Sequence, residues 1–235
     1  MYKGKRILAT ICARGGSKGV KNKNIRLLDN KPLIGYSLDL LINNSIVDDY
    51  VISTDSDEII QVVRNLDFIV DFKRPPELAE DHVSRIDAIK HAVKWKESHT
   101  DQPFDIIADL GVATPLKNRD DLSNAIKLCI DNKADNILTV CPSSRNPYFN
   151  MVEVIDGKVR ISKELKNINS RQQAPAVYDM NDAFNIWRKE VLFADDPQFN
   201  ESTLIYIMPR DRSVDIDEEE DFQFAELIIK RNQDE

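Results

Sequence analysis

Apolar and polar positions fall in blocks along the first 141 residues, and the block lengths alternate. Ile7 to Ala13 is an apolar run of strand length, and Arg14 to Asn24 after it is polar. Pro32 precedes Leu33 to Ile42, which predicts a helix with proline in its first turn. Tyr50 to Ser53 reads as a strand, Asp55 to Asn65 as a helix and Phe68 to Phe72 as a short strand. Across Ser84 to Lys96 the apolar residues Ile86, Ala88, Ile89, Ala92, Val93 and Trp95 recur at helical spacing. Asp105 to Leu110 is a strand, Asp120 to Ile130 a helix and Asn136 to Cys141 a strand. Such β-α alternation predicts crossover units and a three-layer α/β/α fold. Its sheet is mostly parallel and Rossmann-like, with helices on both faces and ligands at the carboxyl ends of the strands.

The rhythm breaks after Cys141. Met151 to Ile155, Asp156-Gly157 and Lys158 to Ile161 spell a β-hairpin with a primed turn. Ser162 to Asp182 is a long polar loop, and loops of that length inside a domain are usually functional or interface arms. Phe184 to Trp187 and Thr203 to Met208 look like returning strands, and Asp217 to Arg231 like a last helix. No repeat or low-complexity linker interrupts the 235 residues, so 1–235 is expected to be one domain carrying 142–180 as an insertion.

Composition removes several classes. With 32 Lys plus Arg against 40 Asp plus Glu, the net charge of −8 disfavours a nucleic-acid binder. No apolar run approaches the roughly 18 residues of a membrane helix. Lys3 to Arg6 followed by Ile7 to Ala13 imitates a signal peptide, but the apolar part is short and Arg14 follows it, so it reads as the first strand. Cys12, Cys129 and Cys141 are few, odd in number and unspaced for metal, which predicts reduced thiols in a cytoplasmic protein. His82, His91 and His99 lack zinc-ligand spacing. Charge is also polarised along the chain. Residues 1–31 hold nine bases and one acid, and residues 211–235 hold ten acids and three bases. That pattern suggests an anion site near the start and a cation site near the end, although a solvated strand-loop and a charged helix would look the same.

Ala13-Arg14-Gly15-Gly16-Ser17-Lys18-Gly19, directly after the first strand, has the chemistry a triphosphate needs. Glycines let successive N–H groups line an anion, and Arg14, Lys18 and Lys23 add mobile positive charge. The bland alternative is a glycine-rich surface turn; neither the P-loop nor the G-x-G-x-x-G pattern is present. In Val214-Asp215-Ile216-Asp217 the two carboxylates share one side of an extended chain, and a divalent cation such as Mg²⁺ would relieve their repulsion. Helix capping by Asp215 or Asp217 is the alternative. Ser53-Thr54-Asp55 at a strand end could face a ligand or cap a helix. Arg74 sits in a rigid Arg-Pro-Pro segment, and Arg171-Gln172-Gln173 offers a fork plus amides suited to a carboxylate or polyol. No nucleophile elbow or Cys–His pair argues for a covalent intermediate.

Together these pieces resemble the bacterial CMP-N-acylneuraminate synthetases, cytidylyltransferases that activate sialic acid and related nine-carbon sugar acids. The resemblance rests on ARGGSKGVKNKNIR (13–26), STD (53–55), RPPELAED (74–81), TPL (114–116), RQQ (171–173) and SVDIDEEEDFQFAE (213–226). It implies a nucleotidyltransferase fold with a dimerisation insertion, the 142–180 arm crossing to a neighbouring subunit of a homodimer. Arg14, Gly15, Gly16, Ser17, Lys18 and Lys23 would hold the CTP phosphates, and Arg74 would sit near base or ribose. Asp215 and Asp217 would carry Mg²⁺, and Arg171, Gln172 and Asp55 would bind the sugar acid. Lys23, Asp215 and Asp217 would be catalytic.

The implied reaction joins CTP to a nonulosonic acid and releases pyrophosphate. The anomeric hydroxyl attacks the α-phosphorus, and Asp215 is the candidate acceptor of its proton. Two departures touch the sugar side. Gly111-Val112-Ala113 stands where many members read Gln-Pro-Thr, and Asn146 to Met151 carries no lysine. Both leave room for legionaminate-like substrates. The rivals are a sugar-1-phosphate nucleotidyltransferase and a non-catalytic nucleotide-binding paralogue.

Overall fold

A computed structural model of the protein describes residues 1–16, 19–166 and 170–234. Its strands and helices, in chain order, are β1 (Ile7–Cys12), β2 (Leu27–Leu28), β3 (Lys31–Pro32), α1 (Leu33–Leu38), β4 (Asp49–Ser53), α2 (Asp57–Asn65), α3 (Arg85–Glu97), β5 (Ile106–Leu110), α4 (Arg119–Asp131), β6 (Asn136–Pro142), β7 (Val152–Ile155), β8 (Lys158–Ile161), β9 (Tyr178–Arg188), α5 (Lys189–Leu192), β10 (Thr203–Ile207) and α6 (Glu219–Asp234).

Six strands form one sheet in the order β10-β6-β9-β5-β1-β4. β1 pairs parallel with β4 and β5, and β10 pairs parallel with β6. β9 alone in this sheet runs against its neighbours, wedged between β5 and β6. The sheet is therefore mostly parallel, as the β-α rhythm predicts, and β9 interrupts it because it returns from the inserted arm.

Alternation of side chains along the strands sends apolar groups to both faces. Ile7, Ala9 and Ile11 join a large core with residues of α1, α2, α4 and α6. Leu8, Val51, Ile107 and Trp187 meet α3 and α5 on the other face. Three layers result. Local signals start the helices: Ser56 and Ser84 cap α2 and α3, accepting from Ile59 and Ile86 N–H, and Asn118 with Asp121 forms a capping box on α4.

Four expectations need correction. Phe68 to Phe72 forms no strand; it runs past the β4 edge, where Phe68 meets the Tyr50 ring at 5.6 Å and Phe72 stacks on Trp95 at 4.9 Å. Packing of its aromatics replaces a ladder. The helix foreseen over 33–42 stops at Leu38 and gives way to turns that end with Asn43 at φ 54°. The long loop is shorter than foreseen, because Tyr178 already pairs with Pro142 and Met180 with Val140 across an irregularity between Leu138 and Val140. The last helix begins at Glu219 rather than Asp217. The hairpin is as read: β7 and β8 pair antiparallel through Asp156 and Gly157, both in the left-handed region.

Asp121 ties three of these elements together. Its side chain is buried, caps α4, accepts from Arg212 Nε and Nη2 at 2.9 Å each and from the Tyr206 hydroxyl at 3.2 Å. Asp121→Ala removes one half of the capping box and the carboxylate that Arg212 and Tyr206 share, so it is expected to cost about 3 kcal/mol. Urea unfolding with an unchanged m-value checks this, and a loss under about 1 kcal/mol would contradict it.

Candidate functional site

The end of β1 and the start of α6 meet. A Cβ built on Gly19 would lie 2.1 Å from the Asp217 carbonyl oxygen, so only glycine allows the two backbones this close. Lys23, in the turn Lys23–Ile25, reaches the same segment: its ammonium donates to the Ile216 carbonyl and stands 3.2 Å from Asp217 Oδ1. Arg26 clamps Glu219 at the head of α6, with Nη2 2.6 Å from Oε1, and lies over the Phe222 ring at 4.2 Å. Ile216 N–H donates to Ala113 O at 2.9 Å and pins the aspartate segment to the end of β5. The basic start and acidic end of the chain are thus brought into one place.

Between them lies a cleft of about 430 Å³, lined by Arg14, Gly19, Lys23, Arg74, Arg85 and Asp217 among others. That volume suits a small-molecule ligand. Arg74 is 4% exposed and locked in place; its Nε donates to Ser53 Oγ at 2.9 Å and its Nη2 to Ser53 O at 2.7 Å. Arg14 Nη1 is 2.9 Å from Asp81 Oδ1. Cys12 lines the cleft, but burial and Asp109 push its thiol up to about 12, which makes it an inert wall and not a nucleophile.

Gly15 and Gly16 carry ordinary backbone angles, so the left-handed freedom expected of them is unused here. Gly15 is small for a different reason: a Cβ there would touch Ser56 Cβ at 3.0 Å. Ser17 and Lys18 lie outside the described residues. Asp55 neither caps α2, a role taken by Ser56, nor joins Arg171 and Gln172. Its Oδ1 accepts from the Gly15 N–H at 3.0 Å and shapes the turn.

Asp215 and Asp217 divide two tasks. Asp217 is open, with 76% side-chain exposure, beside Lys23. Asp215 is largely withdrawn, and its Oδ1 is buried with no hydrogen-bond partner. Burial first, then Asp217, raises the Asp215 carboxyl above the ordinary range, while Lys23, Arg85 and Lys117 pull it back. Helix capping falls to neither aspartate: Asp221 reaches back to accept from the N–H groups of Asp217 at 3.0 Å and Glu218 at 2.9 Å. An orphaned buried carboxylate oxygen with a second carboxylate two residues on fits a hard divalent cation, with water completing the shell. Among the described residues no cluster of three or more His, Cys, Asp or Glu forms such a site by itself.

Arg171 and Gln172 are not in the cleft of the same chain. They lie in a short turn, Arg171–Gln173, at the base of the arm, where Arg171 Nη2 donates to Ser143 O at 3.0 Å and lines a separate hollow of about 290 Å³ with Tyr178 and Ile207. Sequence reasoning also missed four charged groups. Arg85 and Asp182 line the cleft, Asp109 is 0% exposed beside them, and Lys117 is buried behind the 111–116 loop. Lys117 donates to Gly111 O at 2.5 Å, Thr114 O at 2.7 Å and Ser37 Oγ at 2.9 Å, while burial first, and then Arg85, lowers its ammonium to about 7. One signal was legible: Asp109 is the lone charge in the otherwise apolar Ile106–Leu110.

The chain is similar to known proteins over nearly its whole length. A family model described as cytidylyltransferase matches residues 8–230. A protein of Campylobacter coli called post-translational flagellin modification protein B is 41% identical over 224 residues, 95% of each chain. A CMP-N,N'-diacetyllegionaminic acid synthase of Campylobacter jejuni is 40% identical, covering 95% of this chain and 94% of its own. The fold is that of a solved CMP:2-keto-3-deoxy-manno-octonic acid synthetase complexed with CTP, at TM-score 0.70 and 13% identity over 97% of this chain and 99% of that one.

Two outcomes test the site. A raised folded-state pKa means that Asp215 favours folding below its unfolded pKa and disfavours it once pH rises through the folded value. At neutral pH in a chelator, Asp215→Asn is therefore expected to melt at or above the parent temperature; a clear drop would contradict the repulsion. Gly19→Ala forces the turn away from Asp217 and is expected to lower the melting temperature by several degrees in the same assay, on the order of 1–3 kcal/mol for an overpacked contact.

Proposed function

Because the chain belongs to the cytidylyltransferase family, we propose that it transfers CMP from CTP to a nonulosonic acid of the legionaminate class and releases pyrophosphate. The observation that carries this reading is the closure of Gly19 and Lys23 onto Asp217 at the mouth of one cleft. Cations and carboxylates that meet this way fit a polyanion and its counter-cation. The 40% identity to a diacetyllegionaminic acid synthase, over nearly the full length of both chains, favours that sugar class. A pseudaminic acid cytidylyltransferase of the same species, at 29%, is a more distant relative.

In this reading Arg14, Lys18 and Lys23, with the amides around Gly15 to Ser17, bind the phosphates, and Arg74 stands toward the nucleoside. The anomeric hydroxyl oxygen bonds to the α-phosphorus as the bond to the β-phosphate bridging oxygen breaks. Pyrophosphate leaves, and the hydroxyl proton is assigned to Asp215, whose carboxyl is held above the ordinary carboxylate range by burial. Lys23 and Arg14 stabilise the charge that develops on the leaving group, so positioning and electrostatics supply the rate. Asp215 and Asp217 would hold Mg²⁺, which when bound neutralises phosphate charge.

We assign the arm to a homodimer interface. Val152, Val154 and Val159 on the hairpin are each more than 60% exposed, which is unusual for an unpartnered two-stranded element. A partner's arm would bring Arg171 and Gln172 toward the sugar end of the other subunit's cleft. The three free thiols favour a reducing, cytoplasmic setting; no helix among the described residues is long and apolar enough to cross a membrane.

The test is pyrophosphate release with each of the four nucleoside triphosphates against N-acetylneuraminate, N,N'-diacetyllegionaminate, pseudaminate and the eight-carbon Kdo. CTP with diacetyllegionaminate is expected to give the highest kcat/KM; turnover with a sugar 1-phosphate instead would refute the reading. Asp217→Ala is expected to lower kcat on the order of 100-fold at saturating Mg²⁺, equivalent to roughly 3 kcal/mol.

A further inference from the structure

A fully buried carboxylate on a central strand is costly unless it is paired, and Asp109 on β5 is 0% exposed. Its Oδ1 accepts from Thr10 Oγ1 at 2.6 Å, and its Oδ2 lies 2.6 Å from Arg85 Nη2. Arg85, the first residue of α3, extends from this anchor into the cleft, where its Nη1 donates to Asp182 Oδ2. One guanidinium thus bridges two carboxylates.

The backbone around Asp182 is shaped to present that carboxylate. Asp182 lies on β9 beside the end of β5, where Gly111 N–H donates to Ala183 O at 3.1 Å. A Cβ on Gly111 would lie 1.7 Å from the Asp182 carbonyl oxygen and 2.9 Å from Oδ2. The space that a side chain at 111 would take is therefore filled by the Asp182 backbone carbonyl, with the Asp182 carboxylate beside it. Its other oxygen, Oδ1, is reached among the described residues by Asn185 Nδ2 at a long 3.4 Å, and the side chain is 32% exposed.

A carboxylate in a cleft built for a polyanion works against affinity unless a donor meets it. A carboxylate accepts and cannot donate, so it selects N–H or O–H groups and repels lone pairs. We propose that Asp182 is a specificity-determining residue, accepting a hydrogen bond from a substrate donor, and that Arg85 is the positioning residue that aims it. Two donors have this chemistry: the exocyclic amine of cytosine, which uracil replaces with an acceptor, and a hydroxyl or acylamino N–H of the sugar acid. This inference rests on the cytidylyl-transfer reading.

The test is steady-state pyrophosphate release by Asp182→Asn, Asp182→Ala, Arg85→Lys and Arg85→Ala, with CTP, UTP and diacetyllegionaminate. Calorimetric binding of each ligand to the same proteins is measured in parallel. Asp182→Ala is expected to lose tenfold or more in one of two ways. A tenfold fall in the CTP-to-UTP ratio of kcat/KM assigns the cytosine amine. A tenfold rise in sugar KM with CTP KM within twofold assigns the sugar acid. Arg85→Ala is expected to reproduce the same selective loss, and Arg85→Lys to recover part of it. Changes under twofold in both quantities, or a fall in kcat with both KM values unchanged, would overturn the assignment. If Asp182→Ala does not fold, Asp182→Asn, which keeps the shape and removes the charge, is read by the same criteria. A parent that binds CTP and sugar but releases no pyrophosphate would count against the transfer reaction, and the binding constants of the variants would then decide the role of Asp182.

Discussion

The contact between Gly19 and Asp217 sets the terms for the rest of the site. It joins segments almost two hundred residues apart at a separation that permits no side chain. Lys23 stitches the same two segments with an ammonium between the Ile216 carbonyl and the Asp217 carboxylate. Neither partner holds its place alone. Arg26 on one side, gripping Glu219, and the Ile216 amide on the other, bonded to Ala113, keep the junction in register with the sheet. Because Asp217 is largely open to water, its attraction to Lys23 is screened, and both groups keep capacity toward a ligand.

Much of this was legible because local physics and tertiary structure agree. β1, α2, α3, β5, α4 and β6 follow from apolar spacing, with serine or asparagine caps on the helices, and they fall within a residue or two of where the sequence puts them. The Asp156-Gly157 hairpin was readable because both turn residues need left-handed backbone, which Asp and Gly tolerate. Phe68 to Phe72 misled because an apolar run carries no record of whether a neighbour offers a free edge. Asp55 misled for a similar reason: a carboxylate at a strand end looks the same whether it faces a ligand or the next turn.

The charged groups around the cleft were the hardest to read. Arg85 looks like an ordinary first-turn residue of a helix, and Asp182 like part of a polar loop. Their meaning comes from Asp109 on β5, Thr10 on β1 and Gly111 just past the end of β5. Lys117 is similar, since its three acceptors come from α1 and from the loop it supports. Pairings over such sequence distance leave no periodicity, only the oddity of a charge in an apolar stretch.

The placement of β9 carries a consequence for how the molecule is made. Among the described residues this strand alone joins β4-β1-β5 to β6-β10 in the sheet, yet it is synthesised after all of them except β10. Until Tyr178 to Arg188 leaves the ribosome, β5 and β6 each present an open edge, and open edges recruit foreign strands. The acidic segment that completes the cleft emerges later still. Nascent chains therefore hold a half-built sheet, and chaperone demand should peak while the arm is being made and before β9 emerges.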